Sequence, residues 1–322
     1  MNRGPVIFLA AFFALASSWC GFILAPQLQI GRLQQTNTLG AAVAYPVARP
    51  GAAQQGLQVY RANGCAYCHS QQAGQTGTVL DVALAEAGTN QAATMAALLN
   101  LAGTTPALTA LPGLESGRAD PTGGARLQDL PKAVLRSTTR GAANAAVKTL
   151  NSTGAKAQLW VVPVGPDITR GWGRRRSVAE DFLFDSPVMP GSQRVGPDLA
   201  NVGARLPDSN WHLRHLYAPQ LEVSGSTMPP YRFLFEQRRV RVEPSPEALV
   251  LPAELAPPPG YEVVPKPAAK ALVAYLSSLR ADAALFGAPL TQLGAAGAPN
   301  ATNTPPAPGA TPTNAVTRNV SL

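Results

Sequence analysis

Gly64-Cys65-Ala66-Tyr67-Cys68-His69 is the stretch on which the reading of this 322-residue chain turns. Two cysteines separated by two residues, followed at once by histidine, form the attachment pattern of a c-type haem. Each thiol adds to a vinyl group of the porphyrin, and the short spacing lets both reach one face of the ring. His69 then lies under the iron and supplies a first axial nitrogen. Cys-x-x-Cys also suits half of a tetrahedral zinc site, which needs two further Cys or His ligands. The third cysteine, Cys20, sits in an apolar run, so zinc would have to draw on His212 and His215. The expected cofactor is one covalently bound haem c on Cys65, Cys68 and His69.

Working outward, composition limits what can surround this motif. A chain of this length exceeds one small haem domain, so two or more units are expected. Charged residues make up 14% and aromatics 6%, with 29 glycines and 31 prolines. That describes modest cores joined by irregular connectors. A net charge of +8 would permit nucleic-acid binding. The basic residues, however, fall in short clusters (Arg174-Arg175-Arg176, Arg238-Arg239-Val240-Arg241) without interleaved aromatics. A membrane surface or haem propionates explain them more simply, and no nucleic-acid partner is expected.

Toward the N-terminus, Val6 to Ala25 reads VIFLAAFFALASSWCGFILA, 20 residues without a charge. As a helix it would span about 30 Å, the hydrocarbon core of a bilayer. Arg3 precedes it and keeps the short N-terminus in the cytoplasm. The chain is thus expected in a bacterial inner membrane, single-pass, with everything after residue 30 on the periplasmic or outer side. A cleaved signal peptide is the alternative. Against it, the run exceeds the usual apolar core, Trp19 is bulky, and Ser17-Ser18-Trp19-Cys20 is a poor lipoprotein cleavage site.

Ala52 to Asn63 has Leu57, Val59 and Tyr60 at helical spacing and leads into the haem motif. Far downstream, Pro267 to Arg280 repeats Leu272, Val273, Leu276 and Leu279, with Pro267 at an early helical position. A first helix entering Cys-x-x-Cys-His, partnered by a last one, resembles class I cytochromes c. That resemblance implies a helix crossing with a glycine and aromatics at the contact, here Gly56, Tyr60 and Tyr275. Gly196-Pro197-Asp198-Leu199 is similar to the same family's Gly-Pro-x-Leu. It implies that the Pro197 carbonyl accepts the other ring N–H of His69 and that Leu199 packs on the porphyrin.

Thr227-Met228-Pro229-Pro230-Tyr231 supplies Met228 as the expected second axial ligand, in a loop ahead of the last helix. Met/His ligation raises the reduction potential, as an electron carrier needs. Met189, in Val-Met-Pro, competes for the role, and His212 or His215 is the alternative sixth ligand. Arg194 and Arg205 are candidate partners for haem propionates or a neighbouring subunit, since a guanidinium suits a carboxylate. Both read equally well as solvated surface arginines.

About a hundred residues intervene between His69 and these later signals. Thr78 to Leu84 alternates like a strand, and Gln91 to Leu101 is a helix that Gly103 can stop. Leu130 to Arg136 is a strand or turn, Arg140 to Leu150 a helix ended at Gly154, and Ala157 to Val162 a strand. The alternation argues for a small α/β unit. Its text, LDVALAEAGTNQAATMAALLNLAG and AVLRSTTRGAANAAVKTLNSTGAKAQLWV, resembles the C-terminal domain of the ribosomal stalk protein. The basic residues of that family's factor-binding helix are missing from Gln91 to Leu101, so translation-factor binding is not carried over. The unit reads as a packing or docking module.

The anchor, Gly64 to Gln71, Ser192 to Ala200, Trp211 with His215-Leu-Tyr-Ala-Pro219, and Ser226 to Tyr231 together resemble the mono-haem subunit of cbb3-type cytochrome c oxidases. Two features depart from that pattern: the insertion replaces a basic, aromatic segment after the haem motif, and the connector from Pro244 to Pro267 is long and Pro-rich. The resemblance implies an electron-transfer subunit, not itself an enzyme. Its partners would be a catalytic haem–copper oxidase subunit, a di-haem or soluble cytochrome c donor, and the lipid bilayer. Alternatives are the haem c subunit of a nitric oxide reductase, a stand-alone anchored cytochrome, a haem enzyme or gas sensor with an open sixth position, and a scaffold acting through the insertion.

The expected fold is mainly α. A class I cytochrome c domain (31–77 and 164–286) stands on a single transmembrane helix (1–30) and is interrupted by a small α/β inserted domain (78–163). The Ala/Pro/Thr-rich tail, 287–322, has too little apolar surface to fold.

Overall fold

A computed structural model describes residues 3–31, 33–39, 43–111 and 130–290. The Gly/Pro-rich stretch after 111 and the tail from 291 lie outside the described residues. The apolar N-terminal run forms helix α1 (Gly4–Trp19), which passes through one π-helical turn, Cys20–Leu24, into α2 (Ala25–Ile30). From Gly4 to Gln29 this helix is long and apolar enough to cross a membrane. No residue of α1 is buried against the rest of the chain. A helix apolar all round with no protein neighbour takes lipid as its solvent. A short antiparallel pair, β1 (Thr36–Asn37) and β2 (Ala44–Tyr45), follows.

Helix α3 (Gly51–Ala62) buries Ala53, Gly56, Leu57 and Tyr60, the positions that helical periodicity puts on one face. Its partner is the last helix, α10, described below. The chain then makes one 3₁₀ turn at Cys65–Tyr67, entered by Gly64 in the left-handed region at φ 66°.

The insertion is a four-stranded antiparallel sheet carrying two helices: β3 (Gly77–Glu86), α4 (Gln91–Thr104), β4 (Leu108–Ala110), β5 (Lys132–Ser137), α5 (Arg140–Ser152) and β6 (Lys156–Val164). Strand order is β4-β5-β3-β6, every neighbouring pair antiparallel, which is a split βαβ arrangement. Leu80, Val82 and Leu84 point from β3 into a core shared with Leu98 of α4, Leu135 of β5 and Ala143, Ala146 and Leu150 of α5. The two-residue period sends Asp81 to the other face, opposite Arg136 and Trp160. There Arg136 donates Nε and Nη2 to the Asp81 carboxylate at 2.7 and 2.8 Å. One expectation needs adjusting: Gly103 does not stop α4, which runs on to Thr104. Strand β4 had no counterpart in the sequence reading, since three residues are too short to show a period.

After the insertion come three one-turn helices, α6 (Pro166–Thr169), α7 (Val202–Arg205) and α9 (Pro219–Glu222), with α8 (Ser209–Tyr217) between the last two. Asp208 caps α8 by accepting the Asn210 N–H at 2.9 Å. The Pro-rich stretch read as a connector contains a strand: β7 (Phe235–Arg239) pairs antiparallel with β8 (Tyr261–Pro265). Its Glu-Val-Val core is too short to outweigh the flanking prolines in a pattern reading. Pro265 closes the ladder opposite Phe235 at the strand's end, where a missing N–H is tolerated.

Helix α10 (Pro267–Ser278) crosses α3 and completes the second core. Gly56 makes this approach possible, because a Cβ there would lie 1.9 Å from the Ala271 carbonyl oxygen and 2.7 Å from Tyr275 Cβ. Tyr60 and Tyr275 meet beside it, ring centroids 5.3 Å apart. Leu57, Leu199, Val202, Leu216, Leu234, Phe235, Leu272 and Leu276 fill the space around them.

Candidate functional site

One tight turn carries Cys65, Cys68 and His69. The Cys65 carbonyl accepts the N–H of Cys68 at 3.2 Å and of His69 at 3.0 Å, so the three side chains leave a single turn of backbone. Cys68 is exposed, and Cys65 and His69 are half-buried. Burial pushes the Cys65 thiol up to about 11. The same cause holds His69 below the usual histidine range, against the opposing pull of its hydrogen bond to the Pro197 carbonyl.

That bond joins residues 128 positions apart. His69 Nδ1 lies 2.8 Å from the Pro197 oxygen, which makes Nδ1 the protonated nitrogen and leaves Nε2 as the free lone pair. The segment bearing Pro197 is laid along the haem motif by backbone bonds. Gln71 N–H donates to the Pro190 oxygen at 2.7 Å, Gly196 to Cys68 at 2.9 Å, and Leu199 to Ser70 at 2.8 Å. Gly196 forms the seat of the imidazole: a Cβ there would stand 2.3 Å from His69 Cε1 and 2.7 Å from Nδ1. Gly191, at φ 79°, faces the His69 carbonyl in the same way. Leu199 is buried in the adjoining core.

The other candidates divide. Met228 is half-buried against the same core, as is Cys65. Its loop is tied to α8 through the Tyr231 N–H, which donates to the Leu216 oxygen at 2.8 Å. Met189 touches that core too, but its neighbour Pro190 is bonded to Gln71, two residues from His69. Met189 is thus tethered to the histidine's own strand, whereas Met228 arrives from a separate element.

Of the histidines left to a zinc site or a sixth ligand, His212 is held by a backbone carbonyl, whereas His215 keeps a buried Nδ1 with no hydrogen-bond partner among the described residues. His212 is buried with Nε2 2.8 Å from the Leu206 oxygen. His215 stacks on Trp211, ring centroids 4.8 Å apart and 9° from parallel.

The two arginines also part company. Arg194 is committed within the chain, paired with Asp167 and bonded to Ser70 and Gln72. Arg205 donates Nη2 to the Asp198 oxygen at 3.1 Å, while its Nε is buried with no hydrogen-bond partner among the described residues. Burial lowers the Arg205 guanidinium below its ordinary range. A buried donor without an acceptor is costly, and it suits an incoming carboxylate. The unpaired Arg205 Nε, the glycine seat and the paired thiols fit a planar group that bears carboxylates and takes a nitrogen ligand. A residue the sequence reading missed is Asp198. Fully buried, it accepts from Ser70 Oγ at 2.5 Å, Gln72 N at 2.9 Å and Ala200 N at 2.8 Å. The x of Gly-Pro-x-Leu offers no local signal for it.

Residues 159–258, which carry Arg194, Pro197, Leu199, Arg205 and Met228, match the family described as cytochrome c oxidase, mono-heme subunit/FixO. No curated protein matches the chain.

Proposed function

We propose that the chain is a membrane-anchored, mono-haem electron-transfer subunit of a cbb3-type terminal oxidase, built on a class I cytochrome c fold. The observation that carries this reading is the His69 Nδ1 contact with the Pro197 carbonyl. It joins the haem-attachment turn to the segment that matches the mono-haem oxidase family. Bound haem c supplies a one-electron couple, and the chain's own residues place and tune it. Cys65 and Cys68 would be the covalent tethers. His69, its tautomer set by Pro197, and Met228 would hold the iron. Leu199 would pack against the group, and Arg205 would neutralise one of its carboxylates.

The chain passes electrons and leaves the chemistry to a partner, the role the matched mono-haem subunit family suggests. That partner is a catalytic haem–copper subunit in a bacterial inner membrane, fed by a di-haem or soluble cytochrome c. The helix Gly4–Gln29 is the anchor, with the haem domain on the periplasmic or outer side. The insertion is a packing or docking module, for which the stalk-protein likeness supplies no function.

Purification from native membranes in mild detergent tests this. Haem staining should mark the chain, and a multi-helix haem–copper subunit that reduces oxygen should travel with it. The weak near-infrared sulfur-to-iron band should be present and disappear in Met228→Ala. A chain that emerges alone, or with a nitric oxide-reducing core, sinks the oxidase assignment. A band that survives Met228→Ala passes the ligand role to Met189.

A further inference from the structure

The insertion leaves and re-enters the second core through a stem, and that stem reaches the haem motif through one side chain. Ala73 and Gly74 run beside Asp167 and Ser177. The Ala73 N–H donates to Ser177 Oγ at 3.0 Å, and Ser177 N–H to the Ala73 oxygen at 2.9 Å. Gly74 N–H donates to Asp167 Oδ2 at 2.7 Å. Asp167, buried in the first turn of α6, thereby ties the exit strand to the return strand. The same carboxylate receives both ends of the Arg194 fork, Nη1 at 3.0 Å and Nη2 at 2.9 Å.

From there the guanidinium reaches back to the segment of the axial histidine. Arg194 Nε donates to Ser70 Oγ at 2.9 Å, and Nη2 to the Gln72 oxygen at 2.7 Å. Ser70 follows His69 directly, and its hydroxyl donates a hydrogen bond to the carboxylate of Asp198, next to Pro197. Arg194 also stands 3.6 Å from Asp198 and 5.4 Å from the centre of the Trp172 ring. Two buried carboxylates, Asp167 and Asp198, therefore share Arg194 as a counter-charge, and buried carboxylates without one are unfavourable. Lysine offers the charge without the planar fork.

We propose that Arg194, clamped by Asp167, is the positioning residue for His69, and that it makes the stem of the insertion part of the haem site. It holds the Ser70–Gln72 segment against the Pro190–Leu199 segment, so that the Pro197 carbonyl stays on Nδ1 of His69. The inference rests on the haem reading above.

The test uses the full-length haem-loaded protein in detergent, comparing wild type with Arg194→Lys, Asp167→Asn and Arg136→Lys. Two quantities are read in each: solvent exchange of the His69 ring N–H in ¹⁵N-labelled ferrous protein, and the haem midpoint potential. Arg194→Lys and Asp167→Asn should each speed ring N–H exchange by about tenfold, the loss of roughly one net hydrogen bond. Each should also move the potential upward, since an imidazole less firmly bonded to Pro197 is a poorer electron donor to iron. Arg136→Lys, which breaks a similar fork in the inserted sheet, should change neither. Unaltered exchange and potential in the two site variants overturn the proposal. If Arg194→Lys does not assemble, Asp167→Asn, which keeps the side chain's shape, decides alone. A wild-type chain without covalent haem defeats the haem reading itself, a different result from a haem protein indifferent to Arg194.

Discussion

Gly196→Ala is expected to dislodge His69 while leaving the haem attached. The added methyl carbon would lie 2.3 Å from one ring carbon of His69 and 2.7 Å from Nδ1. Neither side can give way cheaply. The Gly196 backbone is pinned by its N–H on the Cys68 oxygen at 2.9 Å, and the ring by its bond to the next carbonyl, Pro197, at 2.8 Å. Moving the imidazole by the ångström or so required breaks the Nδ1 bond and tilts the nitrogen lone pair away from its axis. The thiols of Cys65 and Cys68 are untouched, so haem staining should persist. The near-infrared band and the low-spin visible spectrum should weaken together, and thermal stability should fall by about 2 kcal/mol, in the range of overpacked sites. A spectrum and melting curve like the wild type's would show that the loop retreats freely and that Gly196 is no seat.

Gly56→Ala should act harder on folding than on the haem. Here the obstruction is mainly backbone: the Ala271 carbonyl oxygen at 1.9 Å and carbon at 2.6 Å, with Tyr275 Cβ beside them at 2.7 Å. Accommodation means pushing α3 away from α10 and opening the contact where Tyr60 and Tyr275 meet. Overpacking ordinarily costs about 1–3 kcal/mol, and a helix–helix separation adds lost burial of neighbours such as Leu57 and Leu272. About 3 kcal/mol or more is expected, a large share of a domain's usual stability. The yield of haem-loaded protein and the melting midpoint should both drop sharply, measured on purified chain by haem absorbance and far-ultraviolet circular dichroism. Gly56→Ser should fare no better, because the clash begins at Cβ. A melting midpoint within a few degrees of wild type would show that the crossing is looser than the contact distances imply.

Much of the site was legible because its parts are local in the chain. The Cys65–His69 spacing is covalent geometry, and the α3 and α10 patterns are helical periodicities that packing then used. Arg194 and Arg205 could not be told apart in this way. Both are arginines in a Gly/Pro-rich passage, and only the fold brings Asp167 beside one and buries the Nε of the other. Met228 and Met189 posed the same problem, and only the fold shows that Met189 lies beside the Gln71 segment whereas the Met228 loop is tied to α8. The strand Tyr261–Pro265 was hidden by the prolines around it, and Leu108–Ala110 by its length.

By itself, the sequence determined the Cys65–His69 turn, the apolar N-terminal helix and the helical pattern of the two segments that meet at Gly56, and the family resemblance implied the Pro197 carbonyl on His69 that the fold supplies. Covalent spacing and side-chain period are properties of neighbours along the chain. Tertiary structure alone decided which carboxylate claims Arg194, which arginine keeps an unpaired Nε and how the insertion's stem meets the Cys65–His69 turn. Those pairings join residues far apart in the chain, with several chemically equivalent partners in competition. The winner is set by which backbone segments can lie side by side, and that is settled only when both cores close.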